Sequence, residues 1–442
     1  MNKIISLIII VIFLNNCSFG NKSGIWTGSD QIVKNQNSDN QNLELIFKKQ
    51  SNLIKAVELS PGRLLSFDNP KLYKDWPQSF QNKFNNINNV SFLNEGNYKK
   101  LSKISNAEVN RNILVYQNNL FFSDFKGNIG IFSLSENSLI FKFNFYKKKI
   151  KKTKKNIKMI ILDNNIIAAD NFGYIYSVNY KTNKIEWAKN FLIPFRSNLK
   201  IINGIIFISD EKNKVILIDS KNGNKIEELY TQPAKTVSKF ENNLAVDSNN
   251  NILFLSTNGT LYSLNLLNNK IINWIQNFKS ENDLIFNGNP IVVSNKNIII
   301  STSDNITLLN ENGSRIWNLN IKSSILPVIS GNTIFTINDD NYLMLINKRT
   351  GEIIYSKNLH LLIASEFKKD FQKKIKKIDH IYLINNKLLL ISSKSYFVEI
   401  NIGNIININS IKKNPFNILS DVIFLENEML FVSRSNKIYK VN

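Results

Sequence analysis

One motif recurs eight times between residue 122 and the C-terminus, and it restricts the fold more than any other feature of the chain. Its cleanest copy is AADNFGYIYSVNYKTNKIEW at 168–187. A small or polar residue ends one apolar run, a turn follows, an alternating strand comes next, and a second turn leads into a short closing strand. The same order can be laid over 122–141, 208–228, 255–274, 300–317, 336–355, 391–409 and 432–442. One apolar marker per alternating strand gives Ile129, Ile175, Val215, Leu261, Ile306, Leu343, Phe397 and Ile438, at intervals of 46, 40, 46, 45, 37, 54 and 41 residues. A period of about 40–45 residues with two-residue alternation and Gly, Asn or Asp turns is the signature of one four-stranded propeller blade per repeat. Stacked helix pairs have similar periods but need helical patterning, which these segments lack. The sequence therefore predicts an all-β fold, an eight-bladed β-propeller of four-stranded antiparallel blades over 96–442.

The last copy stops after KIYKVN, without the closing strand that the other copies carry in the IEW position. Two upstream segments could supply it. In 89–93, Val90 and Phe92 alternate; in 98–104, Tyr98, Leu101 and Ile104 fall at three-residue spacing. One of them is expected to pair as the outermost strand of the last blade, closing the ring and removing an exposed sheet edge. The 54-residue interval contains FKKDFQKKIKK at 367–377, with Phe367, Phe371 and Ile375 at four-residue spacing, and reads as a short basic amphipathic helix. Either its apolar stripe packs on the propeller as a solvated decoration, or it meets an acidic partner or anionic lipid headgroups.

The N-terminus is of a different kind. Met1-Asn2-Lys3 followed by the mostly apolar run 4–14 has the dimensions of a secretory signal, too short to span a bilayer. Leu14-Asn15-Asn16-Cys17 is similar to the bacterial lipobox, in which the Cys is cleaved and acylated. We therefore expect a lipoprotein signal peptide at 1–16, lipidation at Cys17 and a lipid-anchored flexible tether and N-terminal arm over 17–95, with Trp76 and Phe80 laying the arm on the folded body. Three acyl chains suffice for permanent membrane attachment. Ser18 after the cysteine fits sorting to the outer membrane.

Charge adds less than it first suggests. The net charge is +22, but only six of the 56 cations are Arg, and Asn reaches 74 residues, a joint excess of Lys, Asn and Ile that codons poor in G and C would produce. The cations are scattered rather than interleaved with aromatics, so no nucleic-acid partner is expected. One Cys and two His argue against disulfide scaffolds, zinc clusters and Cys/His nucleophile chemistry. His360 and His380 flank the insertion with no nucleophile beside them and read as surface residues.

The repeat unit resembles the quinoprotein-type repeat. Its Gly- or Asn-containing turn, its Tyr-Ser/Ala-Leu/Val-Asn/Asp strand and its closing tryptophan, present as Trp187, Trp274 and Trp317 and replaced by Phe141 and Tyr355, carry the likeness. With the lipobox, the eight copies and the Asp75-Trp76-Pro77-Gln78 stretch, the chain resembles the BamB family of outer-membrane assembly lipoproteins over about residues 76–442. That resemblance implies a non-enzymatic scaffold on the periplasmic face of the outer membrane. It would be a monomer within a complex, without cofactor or metal, docked on the POTRA domains of a BamA-like barrel insertase, with unfolded outer-membrane proteins as further partners. It also implies a partner-binding motif at Ile193, Phe195 and Arg196, two exposed apolar anchors beside a basic residue. The same residues fit the start of the next blade's innermost strand equally well. The acidic motif of the following connection is not recognisable in TVSKFENN at 236–243, where only Glu241 is acidic.

Two other classes compete. Quinoprotein dehydrogenases build a disc from the same repeat, but in that family the quinone is stacked against a vicinal disulfide, and this chain has one Cys. Asp339-Asp340, the adjacent Asp pair of the repeats, falls in a tight turn, where Asp is favoured for backbone reasons. A generic periplasmic adaptor or glycan-binding propeller is the remaining alternative, because fold alone does not choose a ligand.

Overall fold

The middle strands of the repeats have no polar face: VILID at Val215–Asp219, TLYSL at Thr260–Leu264 and TIFTI at Thr333–Ile337 are apolar almost throughout. Such strands must be covered on both sides, and a ring of radially stacked sheets covers them by setting each sheet between two others. A computed structural model shows that ring. It describes residues 56–441 except 93–96, 147–149, 151, 235–238, 266–271, 280–284, 368–369 and 427. Eight four-stranded sheets follow one another along the chain, and every strand pairing within them is antiparallel. Blades 1 to 7 span 114–144, 157–190, 200–229, 243–277, 292–319, 328–358 and 378–413. All eight marker residues lie in the third strand of a blade and are buried.

The core is correspondingly a ring of clusters between neighbouring blades. Leu114, Ile131, Met159 and Tyr176 fill the space between blades 1 and 2, and Ile167, Ile175, Ile206 and Ile216 that between blades 2 and 3. Each buried aliphatic side chain contributes about 1.5–3 kcal/mol of transfer free energy. The repeat tryptophan locks three of these junctions. Trp187 of blade 2 donates its indole N–H to Ser220 O (3.0 Å) and lies over Gly223 of blade 3. Trp274 reaches Glu311 O (3.0 Å) over Gly313, and Trp317 reaches Lys348 O (2.8 Å) over Gly351. A Cβ on Gly223, which sits at φ +70°, would stand 2.3 Å from the Trp187 ring.

The polar residue that ends each apolar run has a backbone task. Asp124 accepts the N–H groups of Lys126 and Asn128, Asp170 those of Phe172 and Tyr174, and Asp210 those of Lys212 and Lys214. Asn338, Ser392 and Ser433 each accept the N–H four residues on. Asparagine also supplies 12 of the 18 non-glycine residues at positive φ among the described residues, so part of its excess serves the turns.

Blade 8 consists of Ile423–Leu425, Glu428–Val432 and Lys437–Val441, and its outermost strand is Tyr98–Lys103 from the other end of the described chain. Of the two candidates for closure, 98–104 therefore forms the strand. Val90 of the other segment instead bridges Ile384 and Lys71. The insertion after blade 6 holds two helices, α1 (Leu359–Glu366) and α2 (Asp370–Lys374), so helix begins well before the expected 367–377. LHLLIAS reads as a strand-like apolar run, but the Asn358 side chain caps its first turn, accepting from His360 N (3.0 Å) and Leu361 N (3.2 Å). Phe367 and Phe371 pack against the core between blades 6 and 7, and Ile375 is buried there. No helix among the described residues is long and apolar enough to cross a membrane.

Candidate partner-docking site

The connection from blade 2 to blade 3, residues 191–199, is the sequence-derived candidate. Its course is fixed by backbone bonds on both sides. Phe191 N donates to Gly173 O (2.8 Å), Phe195 N to Asp170 O (3.1 Å), Arg196 N to Ser209 O (2.9 Å), and Pro194 O accepts Glu211 N (2.9 Å). Gly173 makes the passage possible, since a Cβ there would stand 2.7 Å from Ile193 O. Ile193 and Arg196 are half-buried. Phe195 differs from the expected exposed anchor. It is 6% exposed, sits edge-on to Phe191 at 5.5 Å, and belongs to the cluster of Trp187, Ile206 and Ile208. The physical reason is its isolated bridge to Asp210, which turns the ring between the blades.

The apolar residue that this connection offers to solvent is Leu192, 83% exposed and held at φ +64° by a bond from its N–H to Asn190 Oδ1 (2.8 Å). Sequence reasoning missed it because Leu192 lies out of step with the Ile193/Phe195 alternation. The Asn190 side chain two residues earlier, a local turn former, was the available signal. In the next connection, 235–238 lie outside the described residues, and Glu241 pairs with Lys158 at 2.7 Å.

The second feature is the arm. Residues 56–92 are packed on the propeller, with Trp76 buried and Phe80 half-buried, while 17–55 and 93–95 of the expected tether and arm lie outside the described residues, as do 1–16 and Cys17. Each innermost strand of a propeller leaves one edge facing the central channel, with backbone groups that need partners. The arm meets these edges in turn. Trp76 exchanges both backbone bonds with Val115 of blade 1, and Pro77 O accepts Ile161 N of blade 2. Lys83 O accepts Val246 N of blade 4, Phe84 O accepts Val293 N of blade 5, and Val90 bonds Leu383 O and Asn385 N of blade 7. Asn85 and Asn86 donate to Leu244, Ile291 and Ile329 carbonyls, and Phe92 packs against Phe424 of blade 8. At blade 3 the buried Lys200 donates to Gln78 Oε1 (3.2 Å) and Asn82 O (3.0 Å); burial pulls its pKa down to about 7.

The arm thus floors a funnel on the channel axis. Two adjoining cavities of about 230 and 410 Å³ share Phe80, Pro290 and Asp421. Phe80 and Gln81 sit at φ +62° and +68°, a costly conformation for such residues, which the surrounding contacts hold. His380 lines the funnel and stacks on Tyr382, while His360 Nε2 lies 2.9 Å from Ile375 O. Among the described residues no three His, Cys, Asp or Glu side chains come together as a metal site. The cavity on the axis is lined by Trp76, Phe80 and Asn85 of the chain's own arm together with Asp379, His380 and Asp421.

Residues 159–357, just under half of the chain and running from blade 2 to blade 6, match the family described as outer membrane protein assembly factor BamB. No curated protein matches in sequence. Among solved structures, BamB from Moraxella catarrhalis is similar at a TM-score of 0.59 with 11% identity, over 77% of this chain and 99% of that one. The computationally designed Ika8 protein is similar at 0.55 with 9% identity, over 77% and 98%. Quinohemoprotein alcohol dehydrogenase from Comamonas testosteroni is similar at 0.60 with 8% identity, over 83% and 77%. At such identities the structural likenesses speak to fold alone, and the fold is shared by an assembly factor, a design and an enzyme. The chain is thus an eight-bladed propeller of quinoprotein-type repeats that over 159–357 is similar to the BamB family.

Proposed function

We propose that this protein is a non-enzymatic scaffold lipoprotein of the outer-membrane β-barrel assembly machinery. The match of 159–357 to the BamB family carries the reading. The chain is held on the periplasmic face of the outer membrane through Cys17 and docks as a monomer on the POTRA domains of a BamA-like insertase. The connection at 191–199 supplies the contact. Ile193 and Arg196 face the partner with Leu192 as the apolar anchor, and Phe195 acts from below by fixing the connection's course. A rigid, pre-ordered loop presenting an apolar residue beside an Arg is the composition of an interface hot spot. Docking orients the partner's domains, and unfolded barrel proteins are handed past the scaffold.

The dehydrogenase reading has the shared fold in its favour; against it stand the single Cys, which cannot make the vicinal disulfide of that family, and the family match of 159–357. Full-length tagged protein in mild detergent should co-purify with a POTRA-bearing barrel, and Arg196→Glu should lose that barrel while remaining folded by circular dichroism. Recovery of the wild-type chain in full yield with no such barrel overturns the reading. Cys17→Ala should release the protein from the membrane fraction. Added quinone and Ca²⁺ should give no alcohol-dependent dye reduction; robust turnover would establish an enzyme instead.

A further inference from the structure

The insertion between blades 6 and 7 has no part in that docking contact. Its residues line a cavity of about 410 Å³ between the two blades, walled by Ser324, Asn338, Asp339, Asn341, Lys376 and Lys377. Asn338 is 3% exposed, and its Oδ1 accepts the Tyr342 N–H at 2.7 Å. That bond fixes the amide orientation, and Nδ2 is left as a buried donor without an acceptor. Lys376 and Lys377 are exposed, and among the described residues no ion pair engages them. The carboxylate that lines the cavity, Asp339, accepts the Ser324 N–H (3.1 Å). Two lysines and an unmatched buried amide donor lining one space call for an anion with several oxygens. Lys373 and Lys374 on α2 are exposed and add to the local field, against Asp340 and Asp370.

The path of the arm indicates where the anion comes from. Val57 and Ser356 exchange both backbone bonds at 2.8 Å in antiparallel pairing, and Glu58 pairs with Lys357 at 3.1 Å. The outer strand of blade 6, Ile353–Asn358, runs directly into α1, so the described part of the arm begins against this strand, close to the insertion. The chain preceding Val57 holds 4–14 and Cys17, the segment read as the membrane anchor.

We propose that this cavity takes the phosphate of an anionic phospholipid headgroup, setting this part of blades 6 and 7 on the membrane surface. The proposal rests on the anchored-lipoprotein reading for its membrane and on the cavity for its chemistry. The test uses full-length Cys17→Ser protein and co-sedimentation with vesicles of phosphatidylcholine alone or with about one third phosphatidylglycerol. Any contribution of the apolar leader is common to both vesicles, so the difference isolates the anionic lipid. Wild-type cavity residues should give stronger, salt-sensitive partitioning to the anionic vesicles. Lys376→Glu/Lys377→Glu should lower it about thirtyfold, the effect of two surface lysines or more. Asn338→Asp keeps the acceptor for Tyr342 while replacing the donor, and should lower it severalfold; Lys99→Glu/Lys103→Glu on blade 8 should leave it unchanged. Equal loss in the blade 8 variant, no preference for anionic vesicles, or binding of inorganic phosphate without vesicle binding would each overturn the proposal. Mass spectrometry of the mature N-terminus reports separately on lipidation, so failure of the anchor and failure of the cavity are told apart.

Discussion

Blades 2 to 6 and blades 7 to 1 are held together by different means. In the first group the repeat itself carries the lock at three of the four junctions: Trp187, Trp274 and Trp317 each cross to the next blade and settle over a glycine. In the second the lock has gone. Tyr355 replaces the tryptophan at the junction of blades 6 and 7, its hydroxyl has no hydrogen-bond partner, and a Cβ on Gly403 would meet nothing within 4 Å. Helices α1 and α2, the closing strand Tyr98–Lys103 and the arm stand in for it. A repeat array is stabilised by nearest-neighbour terms, but a ring closed by a remote segment also depends on contacts spread across the whole chain.

Four substitutions would sharpen or break that contrast. Trp76→Ala should have the largest effect, about 3–5 kcal/mol in urea unfolding, because the indole is buried where blades 8 and 1 meet. Amide exchange should accelerate at the inner edges of several blades, and exchange confined to blade 1 would mean that the arm does not act as one unit. Lys200 comes next. Its pKa is lowered in the folded state, so the unfolded chain binds more protons between pH 7 and about 10.5, and stability should rise with pH across that interval. The gain from pH 7 to 9.5 is about 3 kcal/mol, and Lys200→Met should flatten it. A wild-type urea midpoint that stays level or falls over this range is incompatible with a buried amine under the arm.

Gly223→Ala tests the repeat-coded lock, at about 1–3 kcal/mol from positive φ and the approach of Trp187. In a Trp187→Ala background the cost should shrink, and a strictly additive cycle would show that ring and glycine are not coupled. Arg63→Ala removes an exposed pair with Glu352 on the arm and should leave the melting temperature unchanged; a clear drop would show that the arm's outer end, too, holds the ring.

The repeats were legible because each blade buries its middle strands the same way, so burial writes one pattern eight times. Closure was legible for the same reason, as a strand missing from the last copy and found in Tyr98–Lys103. The arm was not. It bonds inner strand edges through its backbone and through Asn85, Asn86 and Asn89, contacts more than a hundred residues away that leave no local periodicity. The candidate site was half legible: its position between blades 2 and 3 follows from the repeat boundaries, but side-chain direction depends on bonds to Asp170 and Asp210, which turn Phe195 inward and leave Leu192 outside.

A photo-reactive side chain placed at Leu192 in the full chain, irradiated in native outer membranes and mapped by mass spectrometry, probes the scaffold role most directly. An adduct to a POTRA domain of a barrel insertase is expected from position 192 and none from Leu139 on the exposed outer strand of blade 1. No insertase adduct from 192, or the same adduct from both positions, would contradict docking through the connection between blades 2 and 3.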